Sequence, residues 1–160
     1  MQIYIMRHGQ AESFAPSDAQ RKLTEQGTLE AKVMGKWLND ALQSEQVAEV
    51  FVSPYIRAQQ TAQHVLGELN STPNSRTLDF ITPSGSALEF HDYLDGIAAS
   101  EKLGDLLVVS HMPLVSYLVE ELTVERSSPI FQTAAIAHID YDLQRMKGHL
   151  VAMMSPSDIC

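Results

Sequence analysis

Three short clusters in this 160-residue chain carry residue types suited to gripping and transferring an anion. They are Arg7-His8-Gly9, Ser53-Pro54-Tyr55-Ile56-Arg57 and Ser110-His111-Met112-Pro113. Arginine offers a planar fork of donors that matches phosphoryl oxygens and stays charged at any working pH. Histidine, with an ordinary pKa of about 6.5, can present a neutral ring nitrogen as a nucleophile near neutrality. A covalent phosphohistidine divides hydrolysis into two easier steps. A second histidine can donate to the charge that spreads over the equatorial oxygens. Gly9 suits a turn that lets a ligand approach the backbone. Ser53 and Ser110, heading the second and third clusters, are candidate substrate-binding residues.

The elements that must position these clusters follow from periodicity. Gln2–Arg7 is a short apolar run of strand character. Ser13–Lys22 is polar, contains Pro16 and is expected to be a loop. Thr24 can cap a helix running to about Ser44, with Leu29, Val33, Trp37 and Ala41 at four-residue spacing and Met34, Leu38 and Leu42 beside them. Val47–Val52 is a second strand. Pro54 can open a helix with Ala58, Ala62, Val65, Leu66 and Leu69 inward. Ser71–Ser75 is a polar turn and Leu78–Ile81 a short strand. Ser86–Ser100 is helical, with Phe90, Leu94 and Ile97 inward. Asp105–Ser110 contains Leu-Leu-Val-Val, the pattern of a strand covered on both faces. Pro113 begins a helix through Leu122. Ala134–Tyr141 and His149–Met154 form a hairpin around Gln144–Gly148.

Alternation of strand and helix, ending in strands, gives the α/β class: a three-layer α/β/α sandwich, its sheet mostly parallel with an antiparallel terminal strand. Residues 1–160 form one domain with one core. All three clusters end strands, so they converge on the carboxyl edge of the sheet, where open parallel sheets bind ligands. Two of them also start helices, where free N–H groups and the dipole favour anions.

Composition narrows the function classes. The net charge is −9, from 20 acidic and 11 basic residues, which argues against nucleic-acid binding. In so acidic a chain, a local gathering of arginine and histidine points to a held anion. No window approaches the roughly 18 apolar residues of a membrane span, and the N-terminus has no secretory pattern. Cys160 is the only cysteine, so no internal disulfide is expected, which is compatible with a cytoplasmic location. His64, His91, His138 and His149 show no metal-ligand spacing, and neither metal nor other cofactor is expected.

Together the clusters resemble the histidine phosphatase superfamily, the phosphoglycerate mutase-like family. The resemblance rests on Arg7-His8-Gly9, on the block Ser53-Pro54-Tyr55-Ile56-Arg57-Ala58-Gln59-Gln60-Thr61-Ala62, and on His111 near a strand end. It is closest to the SixA-type phosphohistidine phosphatase branch. That likeness spans the chain and includes Ser17-Asp18, Arg21-Lys22-Leu23-Thr24 and Thr133-Ala134-Ala135-Ile136-Ala137. It implies that His8 is the phosphorylated nucleophile and that Arg7, Arg57 and His111 hold the phosphoryl group. Arg21 is a further candidate for that role, against its reading as a surface-loop arginine.

Two features favour a phosphohistidine on a protein. Only residues 62 to 109 separate the second and third clusters, too few to build a roof over the pocket, and an open pocket suits a side chain presented by another protein. Members that cleave alkyl esters use a carboxylic acid to protonate the leaving oxygen, help worth roughly 10²–10⁴ in rate. Here Phe80 takes the aligned position and Asp79 lies beside it. The expected partner is a histidine phosphotransfer domain or a sugar-phosphotransferase carrier, met by a monomer. The alternative is a small-molecule phosphomonoesterase or mutase using Asp79 as its acid.

Overall fold

The computed structural model of the chain describes residues 1–43 and 45–159. Strand β1 (Gln2–Arg7) leads through a loop, with a short 3-10 turn at Asp18–Gln20, into helix α1 (Glu25–Leu42). Then come β2 (Val47–Val52), α2 (Ile56–Leu66), β3 (Asn74–Thr77), α3 (Ala87–Ser100), β4 (Asp105–Ser110) and α4 (Leu114–Leu122). A hairpin of β5 (Ile136–Asp142) and β6 (Lys147–Met154) and a final turn α5 (Pro156–Ile159) complete the described chain. Ser44, the expected end of the first helix, and Cys160 lie outside the described residues.

The six strands form one sheet in the order β3-β2-β4-β1-β5-β6. The first four are mutually parallel, while β5 runs antiparallel to both β1 and β6. Alternation along β1 sends Ile3 and Ile5 to one face and Tyr4 and Met6 to the other. On the first face they meet Phe90 and Leu94 of α3 and the apolar side of α4. On the second they meet Ala31, Met34 and Leu38 of α1 and Ala58, Ala62 and Val65 of α2. This is the expected three-layer sandwich, its sheet mostly parallel.

Three details differ from the expectation. The buried stripe of α1 is Ala31, Met34, Leu38 and Leu42, with Gly27 and Gly35, and Leu29 is exposed. A side chain at Gly35 would meet the Val65 backbone at 3.0 Å, so close approach of α1 to α2 selects that face. The third strand is Asn74–Thr77, not Leu78–Ile81. As an edge strand it pairs only with β2 and needs no apolar run, whereas Leu78 and Ile81 plug the core from the following turn. Finally, a non-glycine residue, Ala134, takes a left-handed conformation (φ 61°) just before β5.

Where β1 turns into α1, two glycines allow backbone to lie on backbone. A Cβ on Gly27 would stand 2.0 Å from the Gln10 carbonyl oxygen, and one on Gly9 would stand 2.5 Å from that of Gly27. Thr24 caps α1 by accepting from the Gly27 N–H at 3.0 Å. Gly27→Ala is therefore expected to cost about 1–3 kcal/mol of stability through overpacking, measured by urea denaturation.

Candidate functional site

The carboxyl ends of β1, β2 and β4 deliver Arg7, Ser53 and Ser110 to one edge, with Arg7 opposite Ser110 in the β1–β4 register. His8 and His111 follow at once, and Arg57 comes from the first turn of α2. The two imidazoles lie edge to face with centroids 5.1 Å apart. Tyr55 also packs edge to face on His111 with centroids 5.0 Å apart, and the Arg57 guanidinium lies over the Tyr55 ring at 5.0 Å. His8, Arg57 and His111 are all buried.

Hydrogen bonds fix the state of His8. Its Nδ1 lies 2.7 Å from the Gly9 carbonyl oxygen. A carbonyl only accepts, so Nδ1 carries the proton and Nε2 keeps its lone pair. Arg57 Nε donates to that Nε2 at 3.2 Å, which agrees with the same tautomer. Burial, and then the positive charges of Arg57, Arg7 and Arg21, push the His8 pKa down to about 4. The ring is thus neutral across the physiological range.

His111 is held in a comparable way. Ser53 Oγ accepts from the Tyr55 N–H at 3.2 Å and lies 2.7 Å from His111 Nε2. When the Ser53 hydroxyl donates to Nε2, the ring proton stands on Nδ1. That atom is buried and has no hydrogen-bond partner among the described residues. Burial, followed by the neighbouring His8 and Arg57, pushes the His111 pKa down to about 3. Arg7 donates from Nη1 to the Phe131 carbonyl at 2.8 Å, while its buried Nε likewise lacks a partner among the described residues. An orphaned donor in a buried site is costly unless something else accepts from it. Two such donors beside His8 make an oxyanion the natural complement.

Arg57 is anchored to the loop that follows β1. It donates to the Asp18 backbone carbonyl at 2.6 Å and to the Asp18 carboxylate at 3.1 Å. Asp18 also pairs with Arg21 Nη1 at 3.0 Å, and Arg21 Nε donates to the Glu12 carbonyl at 2.6 Å. Arg21 is therefore at the rim of the site, tied to Arg57 through one shared carboxylate. Hydrogen bonds from Arg21 and Arg57 hold the Asp18 carboxyl below its ordinary value.

Two candidates take other positions than their residue types suggest. The Gly9 N–H is taken by Thr61 Oγ1 at 3.0 Å, and the close approach that requires glycine there is by the Gly27 backbone, not by a ligand. Ser110 donates its buried hydroxyl to the Ile81 carbonyl at 2.8 Å, which ties the turn after β3 to the end of β4. Its side chain is not in the cluster, and its carbonyl accepts from the His8 N–H at 3.0 Å.

Three contributors escape a reading by residue type. Thr61 braces Gly9 and donates to the Arg57 carbonyl at 2.7 Å. Phe131 acts through its backbone. Asp18 had one signal, its position three residues before Arg21. Asp79 is exposed, and Phe80 beside it packs on Tyr93 with centroids 5.2 Å apart. His91 is committed elsewhere, bonded to Glu121 at 3.0 Å and Tyr141 at 2.8 Å between α3, α4 and β5. A surface cleft of about 530 Å³ lies at the opposite sheet edge near Met1, Tyr141 and Lys147, away from both site histidines.

A sandwich of this topology, with paired histidines and arginines at the carboxyl edge of its parallel strands, defines a phosphoryl-handling α/β protein. Comparison with known proteins narrows the class. Residues 3–79 match the profile of the histidine phosphatase superfamily (branch 1). The chain is 38% identical over 159 residues to the phosphohistidine phosphatase SixA of Escherichia coli (strain K12), covering 99% of this chain and 96% of that one. It is also 38% identical over 147 residues to the SixA homolog of Haemophilus influenzae, covering 89% of each. The structure of the protein histidine phosphatase SixA complexed with tungstate superposes with a TM-score of 0.92 at 38% identity, over 100% of both chains. The chain belongs to the histidine phosphatase superfamily, in its SixA-type branch, and is thereby a phosphatase.

The low pKa values of the two histidines have a definite sign for stability. In the unfolded chain both bind protons as pH falls below about 6.5. In the fold they do so only near pH 4 and 3. Their contribution is therefore complete above the unfolded value and is lost progressively as pH falls toward the folded ones. Ring ¹⁵N NMR is expected to show His8 still neutral, with the proton on Nδ1, at about pH 5.5, and a charged ring there would contradict this geometry.

Proposed function

We propose that the protein is a phosphohistidine phosphatase that removes the phosphoryl group from a histidine of a phosphotransfer protein, through a phosphorylated His8. The observation that carries this reading is the His8 ring, proton held by the Gly9 carbonyl and lone pair on Nε2 beside Arg57. Nε2 attacks phosphorus in line and the N–P bond of the substrate breaks. The departing imidazole leaves neutral when its other ring nitrogen carries a proton. Arg7, Arg57 and the Nδ1–H of His111 stabilise the oxygens as charge spreads over them. Arg21 and Ser53 assist, the first by joining the oxyanion from the rim, the second by setting the His111 proton. Water then attacks the phosphoryl group on His8, and the N–P bond breaks to release phosphate. Because Nδ1 stays protonated against Gly9, His8 leaves as a neutral ring, so one hydrogen bond serves both steps.

The choice of phosphohistidine over an alkyl ester is supported by the carboxylates around the site. Asp18 is the one carboxylate that touches the site arginines among the described residues. Held below its ordinary pKa, it has no proton to give near neutrality. Asp79 is exposed and makes no described polar contact with the histidines. An alkoxide needs such a proton far more than an imidazole does. The named activity of the relatives points the same way, as does the tungstate of the SixA structure, a tetrahedral oxyanion like phosphate. The proposed working unit is the single domain of residues 1–160, a monomer of the cytoplasm. No helix among the described residues is long and apolar enough to cross a membrane.

Phosphate release from a purified histidine-phosphorylated phosphotransfer protein, run beside para-nitrophenyl phosphate, tests the reading. Fast release from the protein and slow ester hydrolysis are expected, and the reverse order would favour a metabolite phosphatase. His8→Ala is expected to lower turnover at least about 10⁴-fold. Normal turnover in that variant would sink the mechanism.

A further inference from the structure

A pocket that accepts a phosphohistidine on another protein, the reading on which this inference rests, also constrains the surface around it. His8 is only 7% exposed, and Arg57 and His111 are less so. A phosphorylated imidazole must therefore be inserted below the surrounding surface before Nε2 can reach it. Insertion brings the protein that carries it down onto the loops of the rim.

Two large apolar side chains stand out from those loops. Phe14 is 91% exposed and Ile130 is 84% exposed, the two highest values among the described large hydrophobic residues. Phe14 lies in the loop between β1 and α1, within the exposed and uncharged run Ser13-Phe14-Ala15-Pro16. That loop is tied to the site from both sides of Phe14, through the Glu12 carbonyl to Arg21 and through Asp18 to Arg57. Ile130 immediately precedes Phe131, whose carbonyl holds Arg7. The segment that carries Phe14 is thus held by the arginine of α2 and the segment that carries Ile130 by the arginine of β1, with His8 following β1.

A phenylalanine displayed in water contributes nothing to the fold, and single exposed side chains are common. Here both stand in loops whose neighbouring residues hold the site arginines, Asp18 on Arg57 and Phe131 on Arg7, which sets the two side chains on segments that border the site. Both tips stand in solvent, whereas His8, Arg57 and His111 are buried, so a phosphate or small phosphoester bound among the three need not touch them. A folded partner would cover both. The loop of Phe14 is itself balanced, Glu12 and Asp18 against Arg21 and Lys22, but the chain as a whole carries a net charge of −9, which disfavours the approach of an acidic partner surface. We propose that Phe14 and Ile130 are the apolar anchors that seat a folded phosphoprotein whose phosphorylated histidine projects from a patch of apolar and basic side chains.

The test compares two substrates, a histidine-phosphorylated phosphotransfer protein and phosphoramidate, in the unsubstituted chain and in the Phe14→Ser, Ile130→Ser double variant. The expected result is a KM for the phosphoprotein raised about tenfold or more, with kcat kept and phosphoramidate turnover unchanged. Phe14→Leu is expected to keep most of the affinity. Equal losses on both substrates would make the two residues structural supports and overturn the proposal, as would an unchanged KM for the phosphoprotein. If the unsubstituted chain turns over phosphoramidate but no phosphoprotein, the functional reading falls and this inference falls with it.

Discussion

The hydrogen bond from the His8 ring to the carbonyl of its own neighbour, Gly9, is the interaction on which the site depends. It chooses the tautomer and aims the lone pair, while burial and the charges of Arg57, Arg7 and Arg21 keep the ring neutral against the pull of that same bond. That bond requires the Gly9 carbonyl to stay where it is. The Gly9 N–H is fixed by Thr61, and its α-carbon lies against the Gly27 backbone with no space for a side chain. The first turn of α1 and the second turn of α2 therefore hold one peptide between them. The His8 ring is only as well placed as the packing of those helices on the sheet.

A second constraint is electrostatic. Gathering Arg7, Arg57 and two histidines in a buried place would be unfavourable if all were charged. The fold resolves this by keeping both imidazoles neutral and giving the arginines fixed oxygen partners. Asp18 is central to that arrangement because one carboxylate meets two guanidinium groups, while its backbone carbonyl takes a third contact. The donors left without partners among the described residues, Arg7 Nε and His111 Nδ1, are those that a phosphoryl group would satisfy.

The convergence of the three clusters was legible in the sequence because a strand followed by a helix has a defined end. In a parallel sheet those ends share an edge, and the boundaries of β1, β2 and β4 came out as the apolar runs indicated. What escaped the sequence was decided by contacts with no periodic signal. The buried face of α1 follows Gly35, which admits α2, and Gly27, which admits the Gln10 backbone, and a pattern weighted by leucine and tryptophan looks past glycine. β3 is polar because it sits at an edge, while Leu78 and Ile81 are apolar because they fill the core from a turn. Gly9 and Ser110 were legible as special residues but not as internal braces, since nothing local names Gly27 or Ile81 as their partners. The carbonyls of Asp18 and Phe131 carry no side-chain signature at all.

The place of β1 in the sheet has a consequence for how the molecule comes into being. The strand is the first to be synthesised, yet it pairs with β4 and β5, and Arg7 meets the Phe131 carbonyl across 124 positions of chain. Contacts of such sequence separation form late and slow the search for the native state. A nascent chain that has passed Arg57 already carries His8 and the site arginines, but no strand to lie beside β1. Only when the segment from β4 to β5 has emerged can Arg7 be held and the edge of the sheet close around His8. The edge is thus completed only when nearly the whole polypeptide exists, and fragments that end before β5 contain His8 without the enclosure it has in the complete fold.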